Sequence, residues 1–233
     1  IQEHAIASFI YEPLVQGANG MVIYDAAHLE LILQKLKSAN VLLIADEVMT
    51  GFGRTGKMFA SEYMNTKPDI MCFSKGLTAG AMPMGLTSCA QSIYDAFYDD
   101  NKEKTFFHGH SFTGNPLGCA IALASLELFD TEKTLDKVAT ITAWNKKAVA
   151  SLQHNKAFEN IASQGTVLRF DIKTNESTSY LNAVKLRCME FFKAQNILIR
   201  PLGNVLYFLP PYCTTETELN HLLQTALDFG DSL

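Results

Sequence analysis

No uninterrupted apolar run in these 233 residues approaches a membrane span, which takes roughly 20 positions, so a membrane-spanning reading is set aside. Basic blocks are missing too. The 19 lysines and arginines are scattered among 24 acidic residues, for a net charge of −5. A chain without a basic patch is a poor partner for nucleic acid or an anionic membrane. Paired cysteines are absent: Cys72, Cys89, Cys119, Cys188 and Cys213 lie far apart, which rules out zinc knuckles and Cys-x-x-Cys redox motifs. The first four have apolar surroundings and are expected as core thiols, while Cys213 follows a Pro-Pro-Tyr turn. The set suits a reducing cytoplasm. The opening Ile1-Gln2-Glu3-His4 carries no initiator Met and no signal-peptide pattern, and the chain reads as shortened at its N-terminus. Internal repeats and low-complexity segments are also lacking.

What is present is a globular composition, 48% apolar, with enough chain for one or two domains and a real core. Ala7–Tyr11, Val41–Ala45, Ile70–Phe73 and Gly85–Ala90 read as short strands. Helical spacing marks Ala26–Ser38, a short stretch over Met58–Met64, and Ser92–Tyr98. Gln16–Gly20 has loop composition, and Asp99–Asn115 is a long loop rich in Phe, His and Gly; loops of that length in compact domains are usually functional. Pro116 suits the first position of a helix running through Leu128, and a second helix is expected over Leu135–Leu152. From about Phe158 the pattern changes. Val167–Ile172, Ile197–Arg200 and Val205–Leu209 read as strands, Tyr180–Gln195 as an amphipathic helix, and Thr214 as the cap of a last helix to about Phe229. The class is α/β: strand and helix alternate early, and a smaller α+β unit closes the chain.

Two of these strands carry chemistry at their ends. Val41–Ala45 runs into Asp46-Glu47, and Ile70–Phe73 is followed by Ser74-Lys75-Gly76. Both strands look buried and parallel, and open α/β sheets bind ligands beyond the carboxyl ends of their strands. That places a carboxylate and an amine on one rim. A lysine there can form a Schiff base and a carboxylate can hold a pyridinium proton, the pair that pyridoxal phosphate enzymes use. Each feature alone has a plainer reading, a solvated lysine and a metal- or cap-forming acid.

Other motifs compete. Gly51-Phe52-Gly53-Arg54-Thr55-Gly56 matches Gly-x-Gly-x-x-Gly. Asp46–Thr50 separate it from the strand, Asp69 comes too early to bind a ribose, and no βαβ unit of the right length follows, so a dinucleotide site is set aside. Gly-Lys-Ser/Thr is lacking, so a phosphate loop fails as well. His108 and His110 could suggest a metal, but no acid or cysteine stands near them in sequence.

Read together, Glu12-Pro13, the run Ala45-Asp46-Glu47-Val48-Met49-Thr50-Gly51-Phe52-Gly53-Arg54-Thr55-Gly56, Pro68-Asp69-Ile70, Ser74-Lys75-Gly76-Leu77 and Gly114-Asn115-Pro116-Leu117 resemble the class III pyridoxal phosphate-dependent aminotransferases of fold type I. Glu12–Met21, His108–Pro116 and Ile199–Tyr212 resemble the biotin-pathway branch of that family. The resemblance covers nearly the whole chain, most weakly between about 130 and 195. It implies residues 1–132 as the later part of a large, mainly parallel cofactor domain, and 133–233 as a linking helix and small α+β C-terminal domain. It also implies a cytoplasmic homodimer with shared active sites, acting on a small keto acid and an amino donor, with pyridoxal 5′-phosphate as cofactor and no metal.

Residue roles follow from the resemblance. Asp46 would pair with the pyridinium nitrogen and Val48 would pack on the ring. Lys75 would carry the cofactor and then act as the base, and its amine is expected to be partly buried. Ser111 would bind the cofactor phosphate of the neighbouring subunit; many relatives have Thr there, and Ser keeps the hydroxyl. Arg200 would clamp the carboxylate of 8-amino-7-oxononanoate, with Tyr207 lining that pocket. Ornithine- and aminobutyrate-type relatives hold this arginine aside with a loop glutamate, and Gln16–Gly20 offers no acid. Alternatives are another class III ω-aminotransferase and a non-catalytic fragment, since the family runs to about twice this length. The amino donor, S-adenosylmethionine or lysine, stays open.

Overall fold

The structure is a computed structural model and describes residues 5–175 and 181–233. Ile1–His4 therefore lie outside the described residues. Backbone contacts divide the chain into two units. The first comprises the residues up to Leu14, Tyr24–Phe52 and Met58–Lys133; the second comprises Val15–Ile23, Gly53–Lys57 and Thr134–Leu233.

The elements in chain order are β1 (Ser8–Tyr11), β2 (Val15–Gln16), β3 (Val22–Ile23), α1 (Ala26–Ser38), β4 (Leu42–Asp46), β5 (Ile70–Phe73), β6 (Leu86–Cys89), α2 (Gln91–Asp95), α3 (Pro116–Thr131), α4 (Thr134–Leu152), β7 (Phe158–Gln164), β8 (Val167–Ile172), α5 (Val184–Ala194), β9 (Val205–Phe208) and α6 (Glu216–Asp231).

In the first unit the sheet order is β1-β4-β5-β6. Strands β1, β4 and β5 are parallel and β6 joins antiparallel. Helix α1 forms because Asp25 caps it, its carboxylate accepting the Ala27 and His28 N–H groups, and because Leu29, Leu33 and Leu36 recur on one buried face. Each such leucine contributes about 1.5–3 kcal/mol of burial. Lys35 and Lys37 in its last turn oppose the helix dipole. Asn115 caps α3 and Pro116 stands at its start. The Met58–Met64 stretch forms only a 3₁₀ turn, Ala60–Tyr63. Helix α2 stops at Asp95 and passes into a turn through Tyr98.

In the second unit β7, β8 and β9 form an antiparallel sheet with β8 central and buried along its whole length. Leu168, Phe170 and Ile172 pack with Trp144 and Leu152 of α4, Phe192 of α5 and Phe229 of α6. The sequence reading missed β7, because a register shift between Glu159 and Ala162 breaks its alternation. Gln16–Gly20, read as loop, begins inside the small hairpin of β2 and β3. Ile197–Arg200 forms no strand: the Ile197 N–H turns back to Phe192 O at 3.0 Å, and Pro201 has no N–H to continue a ladder. Helix α6 is capped by Thr215, one residue later than expected, through a box with Glu218. Tyr180, placed at the start of α5 by the sequence reading, lies outside the described residues. Only Cys188 is buried; Cys72 and Cys119 are half-buried and Cys89 is exposed, so the expectation of four core thiols is corrected. Cys89 is on the outermost strand of its sheet and all of β6 is exposed.

Candidate active site

Asp46 ends β4 and stands in register with Cys72 of the parallel neighbour β5. Lys75 follows Cys72 by three residues, so carboxylate and amine leave adjacent strands at their carboxyl ends. The half-buried Asp46 turns the chain by accepting the Val48 N–H on Oδ1 at 3.0 Å. The next carboxylate has another task. Glu47 is fully buried and accepts from Thr50 Oγ1 at 2.8 Å, Ala60 N at 3.0 Å, Ser61 N at 2.7 Å and Ser61 Oγ at 2.7 Å. The resemblance gave Asp46 the cofactor role, and sequence reasoning assigned no task to Glu47. The signal was the hydroxyls at Thr50 and Ser61, which a buried carboxylate needs.

Lys75 holds a left-handed backbone, φ 42°. For a non-glycine residue this costs about 1–3 kcal/mol and persists only where surroundings impose it. Those surroundings are visible. Ser74 Oγ donates to Met84 O at 2.7 Å and Ser125 Oγ to Gly76 O at 3.3 Å. Leu77 is buried with Phe52, Phe73 and Ala122. A Cβ on Gly76 would lie 2.8 Å from Phe52 Cβ, so that position has no room for a side chain. The Lys75 side chain itself is exposed, which corrects the expected partial burial.

Val48 is half-buried one turn beyond Asp46. Ser111 lies in the exposed loop before α3. A cleft of about 870 Å³ beside that loop is lined by Ser74, Met82, Met84, His110, Phe112 and Leu117, among others. In the second unit Arg200 and Tyr207 line one cleft of about 540 Å³, together with Leu198, Leu209 and His221. Glu218 lines it as well, with Oε2 engaged by Thr215 N at 2.7 Å and Oγ1 at 2.8 Å.

The glycine-rich hexapeptide is occupied by its own chain. Thr166 N donates to Arg54 O at 3.0 Å, Gln164 Nε2 to Thr55 O at 2.8 Å, and Arg54 Nη1 to Pro210 O at 3.1 Å. A Cβ on Gly165 would come within 2.1 Å of the Thr55 carbonyl carbon, so the β7–β8 turn closes against this loop. Among the described residues no cluster of three metal-ligating side chains occurs, and no helix is long and apolar enough to cross a membrane.

The mixed sheet, its helices and the comparison with solved structures define the fold type I architecture of pyridoxal phosphate-dependent transaminases. An adenosylmethionine-8-amino-7-oxononanoate aminotransferase from Methanocaldococcus jannaschii superposes with a TM-score of 0.89 at 32% identity, covering 96% of this chain and 53% of that one. An omega-transaminase from Thermomicrobium roseum gives 0.89 at 27% identity, covering 97% and 51%. Residues 1–228 match the model of aminotransferase class III, and the chain belongs to that family. In sequence it is 43% identical over 232 residues to the adenosylmethionine-8-amino-7-oxononanoate aminotransferase of Synechococcus elongatus, covering 98% of this chain and 53% of that protein. The corresponding protein of Geobacter sulfurreducens is 41% identical, with 96% and 51% covered. The chain thus spans about half the length of the curated relatives it matches.

Proposed function

We propose that the protein to which this chain belongs is a pyridoxal 5′-phosphate-dependent aminotransferase that converts 8-amino-7-oxononanoate to 7,8-diaminononanoate in biotin biosynthesis. The observation that carries the reading is the placement of Asp46 and Lys75 at the carboxyl ends of adjacent parallel strands, with Lys75 in an imposed left-handed backbone. That donor set fits the cofactor: an amine for its aldehyde and an acid for its ring nitrogen. Pyridoxal phosphate, when bound, supplies an electron sink.

The chain supplies the rest. Lys75 Nζ would hold the cofactor and would move a proton at the substrate Cα. Asp46 would keep a proton on the pyridine nitrogen, and the Val48 N–H on its Oδ1 fixes the carboxylate. Val48 would pack on one face of the ring. Ser111 would donate to the phosphate held by the neighbouring subunit, so the reading includes a homodimer with shared sites. Arg200 clamps the substrate carboxylate bidentately beside Tyr207. Relatives are named for adenosylmethionine, so that amine is the first donor to test and lysine the second. Five free cysteines accord with a cytoplasmic enzyme.

The test is borohydride reduction of the complete protein with bound cofactor, followed by peptide mass mapping. A reduced adduct on Lys75, and turnover of 8-amino-7-oxononanoate, support the reading. An unmodified Lys75 overturns it. Turnover of only ω-amino acids without the ketone of 8-amino-7-oxononanoate reassigns the substrate.

A further inference from the structure

We propose that His110 is a positioning residue for the Ser111 hydroxyl, effective only as the neutral imidazole, and that it serves the phosphate arm of the cofactor. The inference rests on the reading of Ser111 given above. His110 Nδ1 accepts the N–H of Phe112 at 3.1 Å, so one side chain ties the backbone on both sides of Ser111. The His110 N–H donates to Thr113 Oγ1 at 2.9 Å, and the Thr113 N–H returns to His110 O at 2.9 Å. Asn115 completes the turn. Its N–H and its Nδ2 reach Phe112 O at 3.2 Å and 3.1 Å, while its Oδ1 accepts the Gly118 N–H at 2.7 Å and anchors the segment to α3. Residues His108 to Gly114 are all exposed. The order of this turn therefore comes from hydrogen bonds, side-chain and backbone, and not from burial.

One charge state serves. Nδ1 accepts only while it lacks a proton, which leaves the ring hydrogen on Nε2. Protonation sets an N–H against the Phe112 N–H and breaks the tie. The cleft His110 lines is otherwise built from Ser74, Met82 to Gly85, and Phe112 to Leu117, none with an acidic or basic side chain. The other imidazole of the loop, His108, lies against Phe106 with ring centroids 5.5 Å apart. An asparagine side chain makes the same contact to the N–H two residues on, as in an Asx turn, and does not titrate. His110→Asn thus keeps the bond at every pH, and His110→Ala removes it.

The experiment measures equilibrium affinity for pyridoxal phosphate, and for pyridoxal without the phosphate, in the complete protein and both variants. Measurements at about pH 8 and about pH 5.5 bracket the imidazole range. At the higher pH, His110→Ala weakens pyridoxal phosphate about three- to tenfold, the worth of one hydrogen bond, and leaves pyridoxal unchanged; His110→Asn matches the wild type. At the lower pH the wild type falls to the level of His110→Ala while His110→Asn does not. The cofactor's own titration is common to all three proteins and cancels. Equal affinities in wild type and His110→Ala, an equal loss for pyridoxal, or the wild-type pH response in His110→Asn overturns the inference and leaves the aminotransferase reading standing. Failure of the wild type to bind pyridoxal phosphate overturns the reading itself.

Discussion

Asp46 and Cys72 are register partners on parallel strands, and the three residues after Cys72 bring the chain to Lys75. This spacing separates two jobs that could be confused in a mutant. On the proposed roles Lys75→Ala removes the nitrogen that would move the proton, and turnover should fall by at least about 10²-fold, the low end of acid–base contributions. Asp46→Asn keeps the shape of the turn, since its side-chain oxygen can still accept the Val48 N–H, but carries no charge for the ring nitrogen. It should retain the borohydride-trapped adduct on Lys75 while losing turnover. Loss of the adduct in Asp46→Asn would assign that residue to folding of the rim instead.

In the proposed site Arg200 would read a carboxylate and nothing else. Arg200→Met should therefore lower kcat/KM for the keto acid by about 10- to 100-fold, the worth of a charged hydrogen-bonded contact, chiefly through KM. A substrate analogue lacking the carboxylate should react equally with wild type and variant. If the variant loses as much activity on the analogue, Arg200 supports the cleft and does not recognise the acid.

The positions of Asp46 and Lys75 were legible in sequence because short apolar runs bounded by polar residues report strand ends directly, and both residues follow such runs. The cap of α6 was legible too, since Thr215-x-x-Glu218 is a capping box, yet Thr214 beside it drew the assignment one residue early. Ile197–Arg200 misled for a physical reason. Ile197 and Ile199 alternate into the core as strand residues do, but strand formation needs a partner backbone, and local sequence does not show that the Ile197 N–H returns to α5. Exposure of Lys75 and Cys89 was equally hidden, because flanking apolar residues describe the chain and not what packs over a side chain.

Glu47 braces the rim, its N–H donating to Cys72 O at 2.9 Å. Glu47→Ala strands the donors of Thr50, Ala60 and Ser61 in a fully buried site, and stability should fall by about 3 kcal/mol, the cost of one or two unsatisfied buried groups. Denaturant titration at constant m-value reads this. A loss under about 0.5 kcal/mol, the size of an ordinary surface change, would mean that water reaches these donors.

Asp69 gives a pH dependence. Burial alone would raise its carboxyl, but the Lys37 ammonium and the Leu43 N–H, which it accepts at 2.9 Å, outweigh this and hold it below the usual aspartate range. A depressed folded value means stabilisation that is complete above the unfolded value and is lost as pH falls through the folded one. Asp69→Asn should lower the melting temperature at neutral pH and narrow the gap from wild type as the solution is acidified. A gap that stays constant from neutral pH down to about pH 3, below the reference aspartate value, would remove the ionised carboxylate from the account.

Cysteine reactivity checks the second unit independently of any cofactor. Cys188 is fully buried among the side chains of the β8 core, and burial pushes its thiol up to about 12. Thiolate is the reactive form, so at mildly alkaline pH Cys188 lacks both access and ionisation. Cys89 and Cys213 are exposed. Alkylation of the native protein followed by peptide mapping should label Cys89 and Cys213 within the time that leaves Cys188 untouched, and denaturant should make all three equivalent. Because global opening is needed to expose Cys188, its labelling rate should follow the unfolding equilibrium and slow when the fold is stabilised. Labelling of native Cys188 at the rate of Cys213 would show that the packing of α5 on the β8 sheet is open in solution.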